Sequence, residues 1–409
     1  MESQFETKDR GLRGVPVANT SICLIKGELG KLFYRGYDIQ DLATRSTFEE
    51  VSYLLLFDKM PSNKELEEFT AILASKRKLP NTVLDHMKRL PQQTSSMDVL
   101  ICIIAMLAGY DPGLRDDSKE INSQRAAGLV AKTATIVATW GRIREGLPII
   151  EPRVDLSHAA NFLYMLSGEE PDPATARDFD ICLILHAEHS FNASTFAARV
   201  VASSRAHIYA AVSAALGSLS GELHGGANTR VMESLLEIME PKEAESWVKK
   251  KLDRGERIMG MGHAVYTTMD PRAEILRLMS ERLAQRTEES RWFTLTQGIE
   301  KASRREFIQR KGRDLIPNVD LYSASIYYVM GIPPDLYTSI FAVSRIVGWC
   351  AHVLEEKFPN PPVKPMLYRP SSDYTGKFCG LVGCKYVPLE ERQEGLNVYS
   401  SILNDGARS

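Results

Sequence analysis

Two alanine-rich apolar stretches near the middle of the 409-residue chain constrain its fold more than any other feature. L-I-L-H-A-E-H-S-F-N-A-S-T-F-A-A-R-V-V-A and I-Y-A-A-V-S-A-A-L-G-S-L-S-G offer small residues at which helices approach closely, so both read as central core helices. Three- and four-residue apolar spacing recurs in F-E-E-V-S-Y-L-L-L-F, S-N-K-E-L-E-E-F-T-A-I-L-A-S-K and H-A-A-N-F-L-Y-M-L-S-G. Ser62 leads one such helix, and Asp172 leads another with Pro173 in its first turn. Strand-like alternation is scarce; the best case is T-S-I-C-L-I-K-G-E-L-G-K-L-F-Y-R-G, folded back at a glycine turn. No repeat of fixed period is present, and the class is mainly α.

The composition shifts between Asn228 and Gln309 toward charged, amphipathic helices, with basic runs V-K-K-K-L-D-R-G-E-R and S-R-R-E-F-I-Q-R-K-G-R-D. Apolar helices return from Val319 to Leu354. That order predicts a smaller helical domain, residues 224–320, inserted in a larger one made of 1–223 and 321–409.

Apolar residues make up 44% of the chain and charged ones 25%, as in soluble globular proteins. A formal charge of −2 gives no field that favours nucleic acid or an anionic membrane. The apolar run from Val99 to Tyr110 falls short of the roughly 20 residues that span a bilayer and reads as a buried helix. The start, M-E-S-Q-F-E-T-K-D-R, lacks a secretory core and is too acidic for a transit peptide, so a cytoplasmic protein is expected. Cysteines at 23, 102, 182, 350, 379 and 384 lie mostly in apolar segments and read as reduced thiols. Cys379 and Cys384 are close, but no second pair completes a zinc site, and both read as structural.

Several polar residues stand where a core is expected: His189 in H-A-E-H-S-F-N, His224 in G-E-L-H-G-G-A-N, and His263 in R-I-M-G-M-G-H-A-V-Y-T-T-M-D-P-R. Asp320 in P-N-V-D-L-Y-S-A and Arg345 in S-I-F-A-V-S-R-I-V-G-W-C lie on otherwise apolar helices, where a charge is costly without a partner or ligand. Each admits a purely structural account. His186 and His189 can form a hydrogen-bonded core pair, Asp320 can cap a helix, and Arg345 can pair with a core carboxylate. The segment before Arg272 can be a surface turn preceding a helix that starts near Pro271. H-A-E-H lacks the H-E-x-x-H spacing and a third ligand, so no metal is expected. Taken together, a carboxylate base, histidine donors and arginines form a set suited to proton removal beside a carbonyl in the presence of a polycarboxylate. His224, just ahead of a helix N-terminus, is expected to have a lowered pKa and to remain a neutral donor.

These motifs, with G-L-R-G-V, L-F-Y-R-G-Y-D-I, R-I-V-G-W-C-A-H and Y-R-P-S-S-D-Y-T-G, run in order along nearly the whole chain, which resembles the citrate synthase family, 2-methylcitrate synthases included. The resemblance implies a mostly helical homodimer whose large and small domains close over acetyl-CoA and oxaloacetate, with hydrolysis of citryl-CoA to citrate and CoA. It implies Asp320 as base, His224 as donor to the thioester oxygen and His263 as donor to the oxaloacetate carbonyl. His189, Arg272 and Arg345 match the family's oxaloacetate ligands, and Arg369 the arginine supplied by the neighbouring subunit. The loop Arg257, Ile258, Met259, Gly260, Met261, Gly262 matches the segment around the adenine of CoA. Lys311 and Arg313 are either CoA-phosphate ligands or an exposed basic loop. No permanently bound cofactor is implied; the CoA thioester is a substrate.

Two departures stand out. Ala264 follows His263 where many bacterial members have arginine, and Glu222 occupies a position usually held by proline. Glu222 either raises the pKa of His224 or orients that ring, or else points to solvent. The chain lacks the N-terminal β-rich segment of the large NADH-regulated hexamers, so a plain dimer is expected. The rival activities are 2-methylcitrate synthesis from propionyl-CoA and, in another class, acyl-CoA binding without catalysis; retention of Asp320 and both catalytic histidines speaks against the second.

Overall fold

The computed structural model describes residues 11–12, 14–378 and 380–391. The described residues fall into two compact units, one reaching to Tyr368 and one starting at Arg369. The first opens with the expected hairpin: β1 (Cys23–Lys26) and β2 (Lys31–Tyr34) pair antiparallel, Cys23 opposite Tyr34, and β3 (Tyr37–Asp38) completes the sheet. Helices α1 (Ile39–Arg45), α2 (Phe48–Phe57), α3 (Asn63–Ser75), α4 (Asn81–Arg89) and α5 (Ser96–Leu107) follow. Next come α6 (Lys119–Arg144), α7 (His158–Ser167), α8 (Pro173–His186), α9 (Ala193–Ser203) and α10 (Ile208–Leu219). The charged region forms α11 (Ala227–Ile238), α12 (Ala244–Asp253), α13 (Pro271–Arg286) and α14 (Ser290–Lys311), and α15 (Val319–Val329) and α16 (Tyr337–Lys357) close the unit.

Local chemistry set several of these starts. Ser62 and Glu65 form a reciprocal capping box on α3, and Asp172 caps α8 ahead of Pro173. Asp270 caps α13, whose first residue is Pro271. The apolar run from Val99 is indeed a core helix, with Val99, Leu100 and Ile104 fully buried in α5.

Helix α16 is the central element, packed against α2, α6, α8, α9 and α10. It is long and apolar enough to cross a membrane, yet it is largely buried within the protein. The first alanine-rich stretch supplies the last turn of α8 and then α9, interrupted by the non-helical segment 187–192 that carries His189, and the second forms α10. Helices α9 and α10 lie against each other and against α16, as their small residues predict. Helices α11 to α15 make their own layer, α15 packing on α11, α13 and α14, and α11 also reaching α16.

In the second unit the described residues show no regular structure before a turn of 3-10 helix at Leu389–Glu391, and Tyr374 donates to Lys377 O at 3.0 Å. The reduced-thiol expectation holds for Cys23, Cys102, Cys182 and Cys350 but not for Cys384, which is disulfide-bonded. Cys384 sits in this exposed, irregular stretch rather than in an apolar helix. Cys379 lies outside the described residues.

Candidate active site

Helix ends and the loops beside them surround a cavity of about 890 Å³. His189, His224, His263, Arg272, Asp320 and Arg345 all line it. These residues are spread over more than 150 positions of sequence, from the end of α8 to the middle of α16.

His224 lies in the turn that leads into α11. Its Nε2 accepts the backbone N–H of Ser194 at 3.2 Å and lies 2.8 Å from Ser194 Oγ. With Nε2 an acceptor, the neutral ring carries its proton on Nδ1 and is a donor there. Burial lowers its pKa to about 4, and Arg345 adds to the effect. The low pKa was expected; desolvation comes first among its causes, followed by the neighbouring Arg345 guanidinium. The Glu222 carboxylate faces solvent and Arg230, 3.4 Å from Arg230 Nη1, and is not what sets the His224 pKa.

His263 shows the opposite tautomer. Its Nδ1 accepts the backbone N–H groups of Val265 at 2.9 Å and Tyr266 at 3.1 Å, leaving the proton on Nε2. Burial, and then Arg272, lower its pKa to about 4. The His189 ring stands edge-on to His263, with centroids 5.3 Å apart. His189 Nε2 is buried without a hydrogen-bond partner among the described residues. Burial, Arg272, His263 and Arg345 hold its pKa well below the ordinary value. All three rings are therefore neutral at pH 7.

The arginines are held from behind. Asp270 accepts from Arg272 Nε at 3.0 Å and Nη2 at 2.8 Å, a buried two-point pair. Burial works to raise the Asp270 carboxyl, but Arg272 overrides it and keeps the group ionised. Arg345 donates from Nε to His186 O at 2.6 Å and lies over the Phe341 ring. His186 is thus a core residue, as read, though its Nδ1 bonds Cys182 O at 2.8 Å rather than His189.

Asp320 is the second residue of α15 and not its cap, a role that belongs to Asn318. Asn318 Oδ1 accepts the Asp320 N–H at 2.9 Å, while Asn318 Nδ2 donates to Gly262 O at 2.8 Å. One side chain therefore joins the helix carrying the carboxylate to the loop carrying His263. Burial pushes the Asp320 carboxyl up to about 6; Asp270 adds to the rise, while Arg272, Arg345 and Arg230 oppose it.

The 257–262 loop is pinned to the segment before α15 by Gly262 N–H to Ile316 O at 2.7 Å and Asn318 N–H to Gly260 O at 2.9 Å. Gly260 has φ +77°, and a Cβ there would come within 2.9 Å of Leu321 Cα. Arg257 and Gly262 reach the cavity, whereas the side chain of Ile258 is buried. Lys311, the last residue of α14, and Arg313, just beyond it, are exposed and are not among the residues lining this cavity. Arg369 opens the second unit. The sequence reading missed Ser194, Asn318 and Asp270 as partners of the functional groups; Asp270, in D-P-R, and Asn318, in N-V-D, each stand two residues before a residue they serve, whereas Ser194 is distant from His224.

A helical chain that gathers neutral histidine donors, a carboxylate poised near neutrality and buried arginines round one cavity is an acid–base enzyme for carbonyl substrates bearing carboxylates. Comparison with known proteins gives the particular family. Residues 11–371 match the family model described as citrate synthase, C-terminal domain. The chain is 45% identical to a citrate synthase of Haloferax volcanii, covering 94% of this chain and 98% of that protein. It is 40% identical to a 2-methylcitrate synthase of Mycobacterium tuberculosis, covering 87% and 89%. The crystal structure of citrate synthase from Pyrobaculum aerophilum superposes with a TM-score of 0.85 at 40% identity, covering 93% of this chain and 95% of that one. A Thermoplasma acidophilum citrate synthase, solved as a ternary complex with carboxymethyl coenzyme A and oxaloacetate, gives 0.85 at 30% identity, covering 93% and 98%. The chain belongs to the citrate synthase family and is an enzyme.

Proposed function

We propose that this enzyme condenses acetyl-CoA with oxaloacetate and hydrolyses the resulting thioester to citrate and CoA. The observation that carries this reading is a pair of histidines lining one cavity with Asp320, of which His224 accepts a backbone N–H at Nε2 and His263 accepts two at Nδ1, leaving the opposite ring nitrogen of each to donate. A condensation between an enolate and a ketone needs two such donors, one at each oxygen that takes up negative charge.

In this reading the Asp320 carboxylate takes a proton from the methyl carbon of the thioester. A pKa near 6 leaves it ionised at neutral pH, yet more basic than an exposed aspartate. His224 stabilises the enolate oxygen. The enolate carbon attacks the ketone carbon of oxaloacetate, whose oxygen is received by His263, and a carbon–carbon bond forms. Water then cleaves the thioester, releasing citrate and the CoA thiol. His189, Arg272 and Arg345 bind the oxaloacetate carboxylates and fix the face presented. Closure of a small domain, residues 224–320, over a large one shields the enolate from water.

The same reading has the 257–262 loop at the adenine of CoA, Arg369 contributed across a homodimer interface, no permanently bound cofactor, and a cytoplasmic location. The test is CoA-thiol release with oxaloacetate and either acetyl-CoA or propionyl-CoA. Acetyl-CoA is expected to have the higher kcat/KM. A higher value for propionyl-CoA moves the assignment to 2-methylcitrate synthase, a discrimination of only about 1–3 kcal/mol per methylene. No thiol release from folded protein with either substrate refutes the activity.

A further inference from the structure

Arg230, in the second turn of α11, bends back over the turn that carries His224. Its Nη2 donates to Glu222 O at 2.7 Å and Gly225 O at 3.4 Å, and its Nε to Gly226 O at 3.4 Å. The carbonyls it holds therefore lie on both sides of the histidine. A proline before Leu223 would stiffen this turn by fixing φ; with Glu222 there instead, the guanidinium supplies the restraint from outside, and its Nη1 meets the Glu222 carboxylate at 3.4 Å. Leu223, between the restrained carbonyls, is almost fully exposed and contributes no packing to hold the loop.

We infer that Arg230 is a positioning residue which clamps the His224 turn and so sets where the Nδ1–H donor stands relative to Asp320. The inference rests on the proposed reaction for its kinetic consequences, although the clamp itself is a property of the ligand-free protein. Nη2 alone meets carbonyls on either side of His224, and the guanidinium adds a third backbone contact through Nε at Gly226 O; a lysine offers a single nitrogen at the end of a flexible stem and loses that second donor. Arg230 also brings a positive charge toward Asp320. The other charged groups facing that carboxylate are Arg272 and Asp270 from the start of α13 and Arg345 from α16. Removing Arg230 takes away one of the three cations that favour the ionised form.

Arg230→Met and Arg230→Lys separate the two effects. Arg230→Met is expected to lower kcat about tenfold or more, as misplacement of a catalytic group does, with the oxaloacetate KM within about twofold. Its acid limb in kcat/KM moves to higher pH. Arg230→Lys is expected to restore the limb, because the charge returns, but not kcat, because the fork does not. Wild-type kcat in Arg230→Met overturns the clamp, as does full rescue of kcat by lysine. A fall in activity that only follows the loss of folded protein, with no change in the acid limb, also overturns it. Nitrogen-15 NMR of the His224 ring in ligand-free protein keeps this test apart from that of the reaction. A fixed Nδ1–H tautomer in wild type that becomes exchange-broadened in Arg230→Met supports the clamp even if no thiol is released. Identical ring signals in both proteins refute it even if the proposed reaction stands.

Discussion

Asp320 carries its carboxylate on the first turn of a helix whose other early residues, Val319, Leu321 and Tyr322, are buried. Its folded-state pKa of about 6 lies above the ordinary 3.8, so the native protein binds a proton more tightly than the unfolded chain does. Stability tied to this group is therefore greatest below pH 3.8 and declines as pH rises from 3.8 to 6, beyond which the full penalty persists. Under the proposed reaction, activity runs the other way, because only the ionised form is a base. Asp320→Asn is accordingly expected to lower kcat by a factor of about 10²–10⁴ while raising unfolding stability at pH 7 by about 1–3 kcal/mol. The stability gain should shrink toward zero near pH 4. Urea unfolding at pH 4 and 7, run beside the thiol assay, checks both signs; a destabilised or fully active variant contradicts the argument. His224 and His263, with pKa values near 4, add no titration between pH 5 and 8, so the acid limb of wild-type kcat/KM should fall near 6.

The hairpin of β1 and β2 supports the loop that follows His263. A Cβ at Gly27 would overlap the carbonyl oxygen of Val265, and Gly27 O accepts the Thr267 N–H at 3.3 Å. Val265 also gives its N–H to His263 Nδ1, so displacing Val265 turns the ring to which the proposed reaction gives the ketone oxygen. Gly27→Ala is expected to cost about 1–3 kcal/mol of stability, as overpacking does, and to lower kcat as well. Denaturant unfolding and single-turnover rates would register this; unchanged values in both would show that the loop relaxes freely. Such contacts mark the limit of what could be read from sequence. The caps at Ser62 and Asp172 were legible because donor and acceptor lie within one helical turn. Asp320 and Arg345 were legible because a charge on an apolar helix requires an explanation. Ser194 with His224, 30 residues apart, and Asn318 with Gly262, 56 apart, carry no local signal, because tertiary folding alone brings them together. The depressed pKa of His224 was anticipated from the helix that follows it, whereas burial and Arg345 are properties of the assembled cavity that the sequence does not display.

Across the whole molecule the formal charge is only −2, so attraction for an anionic substrate has to come from the cavity rather than from a long-range field. Arg257, Arg272 and Arg345 line that cavity, and Asp270 is already committed to Arg272. Burial disfavours the charge on Arg345, whose guanidinium is lowered from its usual pKa even with Glu188 and Tyr34 supporting it. A dicarboxylate at the site supplies the missing countercharge, and whatever binds only the folded state stabilises it. At about one hundred times Kd the gain is about 2.7 kcal/mol, enough to raise the melting temperature by a few degrees. Oxaloacetate is therefore expected to raise the melting temperature in the absence of any CoA compound, and pyruvate, with one carboxylate fewer, to raise it less. Arg345→Leu keeps an apolar stem but removes the charge, and its melting temperature should no longer respond to oxaloacetate at that concentration. Equal shifts in wild type and Arg345→Leu would show that the anion is held elsewhere. Equal shifts with pyruvate and oxaloacetate would show that the second carboxylate has no partner in the site.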